Sequence, residues 1–324
     1  MIDKIPYKFI PIVTIYTLAS EEFPLVSIMN DDKLLAEAFL IYKERVGYES
    51  FIILTDSTFT AEALGCQIRF KGNNEVIVYR ELEISTIDEI ERLELPDPEN
   101  CGRLALTLKA VQRVYQYASP ERVVIANSTA PLTTAAKLIG LENLLKKIIQ
   151  DPAFSHALLD KITDFIITLS RSLIRSGAQI LFIAEPVASP TLISPKVFRK
   201  FVLPCVKRLI QSARCSTILH ICGDVTPILN DMAEADPTLL SLDQCVNLNS
   251  ARALLGDKIT LGGNLDPGSV LNYKTPEQIS EDAWGCCKEG GPDNFVLMPG
   301  CTILAGTPIE NIRAMIKVAH EALS

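Results

Sequence analysis

What most limits the fold of this 324-residue chain is an alternation. Eight short β-rich runs recur along it, most of them followed by a longer segment with helical spacing. The runs are "FIPIVTIY" (residues 9–16), "SFIILTDST", "RVVIANSTAP", "AQILFIAEPVAS", "STILHICGD", "LLSLDQC", "ITLGGNLDP" and "NFVLMPGC". Between them, "DDKLLAEAFLIYKERVG" opens on an Asp cap, and residues 132–176 read as helices interrupted at Asp151-Pro152. "SPKVFRKFVLPCVKRLIQSA" reads as a helix with an early proline, and the last helix has a capping box at Thr307 and Glu310. Strands alternating with helices imply a parallel sheet. Eight such units imply a closed (β/α)8, or TIM, barrel. The doubly wound alternative needs a Gly-rich turn after the first strand, and "YTLASEEF" has no glycine. "CQIRFKGNNEVIVYRE" reads as a small β-hairpin inserted after the second strand, turning at Asn73-Asn74. No Pro/Gly/Ser-rich linker divides the chain, so it reads as one barrel domain over residues 1–324.

Charge and cysteine usage narrow the partners. Acidic residues outnumber basic ones, 39 to 31, which excludes nucleic acid as the main partner because phosphate binding needs a basic surface. No run approaches the roughly 18 apolar residues of a membrane span. "KFIPIVTIYTLAS" has the outline of a signal peptide, but Pro6, Pro11 and Thr14 interrupt it, and a buried barrel strand accounts for its β-branched residues. Nine scattered cysteines in a chain of this length suit a reduced, cytoplasmic protein. Cys205, Cys215 and Cys245 read as small core residues.

In a barrel, the C-terminal ends of the strands share one mouth. Asp56, Asn127, Glu185, Asp243, Asn264 and Asp266 all stand at such ends. So do His220 and Cys222, two apart and therefore on one side of their strand, and Cys301, just beyond the eighth strand. One imidazole and two thiolates make a zinc set with an open position. The plainer alternative is a packed cysteine and a histidine satisfying a carbonyl. Asp266 in "NLDPG" also has a turn reading. Glu185 is harder to dismiss, because a charge ending an apolar strand needs a role or a partner.

"ILHICGD", "GGNLDP" and "PGC", together with "AEPVASPTLISP", resemble the uroporphyrinogen decarboxylase superfamily. More closely they resemble its zinc-dependent methylcobamide:coenzyme M methyltransferase and chloromethane-utilisation branch. The likeness runs from "FIPIVTIY" through "TDSTFTAEALGCQIRF", "LELPDPE" and "GLENLLKKIIQDP" to the end. It implies zinc on His220, Cys222 and Cys301, and methyl transfer from a methylated corrinoid to a thiol acceptor such as coenzyme M. The decarboxylases grip their substrate with an N-terminal arginine-rich segment, whereas this chain has no arginine before Arg45. Asp56 falls where the decarboxylases have their catalytic aspartate.

The expected roles are therefore three metal ligands, His220, Cys222 and Cys301. Glu185, Asp243 and Asp56 are the expected acid–base residues, with Glu185 or Asp243 as fourth ligand or acceptor of the thiol proton. Asn127, Asn264 and Asp266 are expected to contact the corrinoid. No Asp-x-His-x-x-Gly signature is present, so the methylcobamide is expected on a separate corrinoid protein that approaches an open mouth. A homodimer is compatible with this reading. The alternatives are loading of a corrinoid from a small methyl donor, transfer to tetrahydrofolate, a cofactor-free decarboxylase, and a non-catalytic barrel with a structural zinc.

Overall fold

A computed structural model describes residues 5–72, 75–118, 123–291 and 293–323. Seven strands form one parallel sheet: β1 (Phe51–Ile53), β4 (Val124–Thr129), β5 (Ile180–Ala184), β6 (Ser216–His220), β7 (Leu239–Ser241), β8 (Thr260–Leu265) and β9 (Phe295–Pro299), hydrogen-bonded in that order. They correspond to the second through eighth predicted strands. The inserted hairpin is β2 (Gln67–Lys71) with β3 (Glu75–Arg80), and its predicted turn residues Asn73 and Asn74 lie outside the described residues.

The predicted first strand is not a regular strand. Phe9 pairs with Leu297 in a single parallel bridge, Ile10 N–H donates to the Leu297 carbonyl, and Leu297 N–H donates to that of Lys8. The ladder stops there for a covalent reason. The next donor on β9 is Pro299, which has no N–H to offer Ile10, and Pro11 removes one on the other side. The segment still fills the eighth position: Ile15 N–H reaches Leu54, beyond β1, and Ile303 N–H reaches Ile12. The chain then turns into the short helix Ile15–Leu18 instead of continuing extended. The result is a (β/α)8 barrel whose first stave is irregular.

Helices surround the sheet where their apolar spacing predicts. Asp31 caps the helix Asp32–Val46 through the N–H groups of Lys33 and Leu34. The region 132–176 resolves into Pro131–Ile139, Leu141–Gln150 and Pro152–Arg175, with Asp151 capping the last. The predicted helix after β5 widens into a π turn at Phe198–Val202, because Pro204 has no N–H for the Lys200 carbonyl. The capping box expected at Thr307 is absent. The helix Ile309–Ala322 starts after Pro308, and the Thr307 hydroxyl donates to Asn272 instead. Cys205 is buried as expected and Cys215 partly so, but Cys245 is exposed, on the loop after β7. Among the described residues no helix is long and apolar enough to cross a membrane.

One register row positions the site. Thr129, Ala184, His220, Ser241 and Gly262 lie side by side across β4 to β8. This row sits at the carboxyl ends of the strands, above a core of buried aliphatic residues such as Ile125, Leu181, Ile218, Leu240 and Leu261.

Candidate metal centre

His220 closes β6, and Cys222 follows two residues later on the same side. Cys301 comes from the far edge of the sheet, just past β9. Cys222 Sγ lies 3.4 Å from His220 Nε2 and 3.9 Å from Cys301 Sγ. The three donor atoms all lie within 4.8 Å of one another. Tetrahedral zinc with bonds of about 2.3 Å to sulfur and about 2.05 Å to nitrogen requires edges of roughly 3.8 Å (S–S) and 3.6 Å (S–N). The donor set therefore fits one such ion with little rearrangement.

The surroundings aim these groups. His220 Nδ1 lies 3.1 Å from the Ser241 hydroxyl and 3.3 Å from the Ser241 carbonyl. A carbonyl accepts only, so Nδ1 carries the proton and Nε2 presents its lone pair to the sulfurs. Phe182 packs against the ring, centroids 5.9 Å apart. Two glycines shape the loops. Gly223 takes φ +83°, and a Cβ there would sit 3.0 Å from Ser189 Oγ. At Gly300 a Cβ would sit 2.4 Å from the Gln244 backbone nitrogen, so only glycine lets the end of β9 pass under the loop after β7. The two thiols share a hydrogen bond that splits their acidity. Cys222 is raised well above the usual thiol range, by that bond first and by burial second. Cys301 is held well below it, by the bond from Cys222 first, with His220 adding to the effect.

The other predicted site residues divide. Asp243 is 4% exposed, and its negative charge, close to Cys222, helps hold that thiol protonated. One of its oxygens accepts from Cys245 N–H. It is not among the groups gathered within 4.8 Å, so in this conformation it is no fourth ligand. Glu185 is not one either. It is fully buried and accepts from the N–H groups of Leu132 and Thr133, at 2.9 and 2.7 Å, and from the Thr133 hydroxyl. Its partner is thus the start of the helix Pro131–Ile139. Burial pushes its carboxyl up to about 7 against those donors. Asp56 holds Thr58 and an ion pair with Arg103, N–O 2.6 Å, and Arg103 also grips Glu62.

Asn127 falls within β4 rather than at its end, and ties that strand to Thr55 through its side-chain carbonyl oxygen. Asn264 donates to the carbonyls of Asp243 and Val246, which pins the loop after β7. Asp266 accepts from Gly268 N–H, Ser269 N–H and the Ser269 hydroxyl, the turn reading of "NLDPG". Ser241, Arg103 and the Gly300–Gln244 contact carry no signal in the linear sequence. A polar hollow of about 900 Å³ beside Ser216, Thr238, Thr260 and Asn294 opens at the amino ends of the strands, away from the triad.

The uroporphyrinogen decarboxylase (URO-D) family model matches residues 13–322. A methylated-thiol–coenzyme M methyltransferase of Methanosarcina mazei is 30% identical over 292 residues, covering 90% of this chain and 77% of that protein. The methylcobamide:CoM methyltransferase MtaA of Methanosarcina barkeri is 30% identical over 297 residues, covering 90% of this chain and 85% of its own. A solved structure, a methyltransferase from Methanosarcina mazei, superposes with a TM-score of 0.88 at 27% identity, covering 98% of this chain and 95% of that one. The match spans the barrel from the irregular first stave to the last helix, and the chain belongs to the uroporphyrinogen decarboxylase family, among its methyltransferases.

Proposed function

We propose that the protein moves a methyl group from a methylcobamide, presented by a separate corrinoid protein, to a thiol, using one zinc ion held by His220, Cys222 and Cys301. The observation that carries this reading is the gathering of one imidazole nitrogen and two sulfurs at zinc-ligand spacing, with no fourth protein donor among the described residues. Structural zinc sites close with four protein ligands, whereas three leave a place for a substrate sulfur. Zinc bound there supplies one thing, an acceptor sulfur kept as thiolate at neutral pH.

The chain's own residues do the rest. Ser241 holds His220 in the tautomer that offers Nε2. Asp243, beside Cys222 and held on one oxygen by Cys245 N–H, is the group placed to take the proton of the incoming thiol. The acceptor sulfur then takes the methyl group, and the bonding pair stays on cobalt. Asn127, whose side-chain NH2 meets no acceptor among the described residues, is available to the corrinoid's amide rim. Glu185 and Asp56 act as positioning residues, one anchoring a helix at the mouth and the other anchoring Arg103. A decarboxylase reading finds no support, because the carboxylate at Asp56 is already committed to Arg103. Nine free cysteines suit a reducing compartment, and we place the protein in the cytoplasm.

The test is methylcobalamin consumption with a panel of thiols, followed through the cobalt(I) absorbance, beside zinc content by mass spectrometry. Wild type is expected to hold about one zinc per chain. Cys222→Ala and Cys301→Ala are expected to lose zinc and turnover together. Full zinc and full rate in Cys222→Ala would remove the assignment.

A further inference from the structure

The triad lies off-centre in the mouth. His220 and Cys222 come from β6, Cys301 follows β9, and only β7 and β8 lie between them. The loops after β5 to β9 close around it. Ser189, after β5, has its hydroxyl 3.0 Å from the Cβ position of Gly223, the neighbour of Cys222. Gln244, after β7, passes over Gly300, the neighbour of Cys301. Thr307, after β9, donates to Asn272, after β8. These loops run through residues 185–195, 221–228, 242–250, 264–273 and 299–308, with no lysine or arginine among them. Of their four acids, Glu185 and Asp243 are buried, Asp266 is half-buried and bound within its own turn, and Asp224 is exposed. What else they expose is neutral: the amides of Gln244 and Asn247, and three large apolar side chains, Leu192, Tyr273 and Leu304, which are 45%, 84% and 46% exposed. The opposite side of the mouth is charged. Glu21, Arg69, Lys71, Glu75 and Arg80 are exposed on the loops after the first stave and β1, and Lys137 is half-buried near Asp56 and Glu75.

Building on the methyl-transfer function proposed above, we infer that the corrin ring of the methyl donor seats on the charge-poor side of the mouth, with Leu192, Tyr273 and Leu304 as its apolar contacts. Transfer needs the acceptor sulfur, the methyl carbon and cobalt on one line, and the corrin plane stands across that line. A ring centred above the triad therefore covers the loops after β5 to β9 before it reaches the charged side. The chemistry of the two surfaces also matches. A corrin presents hydrocarbon faces and a periphery of neutral amides. An uncharged rim can meet both without stripping water from an ion. Interface cores are depleted of charge and enriched in aromatic side chains for the same reason. The footing is stiff as well. Asn311 donates to the carbonyls of Leu271 and Lys274, and Thr307 ties that loop to the one after β9, so Tyr273 and Leu304 have little backbone freedom left to lose on contact.

The experiment uses zinc-loaded protein, free methylcobalamin and 2-mercaptoethanesulfonate. KM is measured for each substrate, and methylcobalamin binding is read separately by ultrafiltration without thiol. Leu192→Asp, Tyr273→Asp and Leu304→Asp are each expected to weaken methylcobalamin binding and raise its KM about tenfold, with zinc content and the KM for thiol unchanged. Val26→Asp and Tyr79→Asp, at exposed apolar sites on the charged side, are expected to stay within about twofold of wild type. Wild-type methylcobalamin affinity in most of the rim variants, or an equal loss in Val26→Asp and Tyr79→Asp, overturns the placement of the ring and leaves methyl transfer standing. A wild-type protein that neither binds nor demethylates methylcobalamin overturns the methyl-transfer function as well.

Discussion

Gly300→Ala isolates the part of the site that is built by backbone packing. The added Cβ would lie 2.4 Å from the Gln244 backbone nitrogen and 2.6 Å from its Oε1. The side-chain oxygen can swing away, but the backbone nitrogen cannot, because Asn264 pins this loop through the carbonyls of Asp243 and Val246. Gly300 is held from its own side by a 2.7 Å hydrogen bond to the Leu265 carbonyl. Ordinary contact needs about 1 Å more room, and overpacking of this kind costs about 1–3 kcal/mol. With about 2.1 cal/mol/K of unfolding entropy per residue, 324 residues convert each kcal/mol into roughly 1.5 °C, so Tm should fall by about 2–4 °C. The larger effect should be on the metal. Cys301 is the next residue, and a metal site tolerates only about 0.2 Å in its bond lengths. Zinc affinity, measured by competition with a chelating dye, is expected to drop about 10–100-fold, the range seen when the supports of a ligand are lost. Gly285→Ala is the control. It lies within the helix Pro276–Gly290 with open space around it, and should raise Tm by about 1 °C and leave zinc untouched. Wild-type zinc affinity in Gly300→Ala would refute the argument that this close passage sets the position of Cys301.

Other perturbations test separate links. Ser241→Ala leaves the carbonyl partner of His220 but removes the hydroxyl, and should weaken zinc about tenfold while circular dichroism stays unchanged. Arg103→Leu strands a buried Asp56 and a half-exposed Glu62, so chemical denaturation should show a loss of about 3–5 kcal/mol. Glu185 tests pH linkage. Its carboxyl is raised to about 7 in the folded protein, against an ordinary value of 4.5. The favourable contribution is therefore complete below pH 4.5 and is lost as pH rises through 7, by about 3 kcal/mol in all. Glu185→Gln should be less stable at low pH but lose less between pH 5 and 8, as read from Tm in matched buffers; parallel Tm curves for the two proteins would contradict this.

Much of the architecture was written in local chemistry. β-branched runs alternating with amphipathic segments specify strands and helices by their period alone, and Asp31 and Asp151 cap helices where their spacing places them. The convergence of three soft donor side chains was legible for a similar reason. His220 and Cys222 are two apart on a strand, and Cys301 stands at the equivalent end of another. What failed in prediction failed on contacts distant in sequence. Pro299 ends a ladder that begins 290 residues earlier at Phe9, and no local pattern in "FIPIVTIY" reports it. Thr307 has a capping-box partner in sequence, yet Asn272 takes its hydroxyl.

Carboxylates mark the boundary most clearly. In the sequence, Glu185, Asp56, Asp243 and Asp266 are the same kind of signal, an acid at the end of a strand. Residue type and period decide which chain positions reach the mouth, and with them the barrel and the soft donor set. They do not decide what an acid meets once it arrives. Packing gave Glu185 a helix start, Asp56 an arginine 47 residues away and Asp266 its own turn, and left Asp243 beside a sulfur. A carboxylate's role follows from which donors surround it in space, and those donors come from other strands.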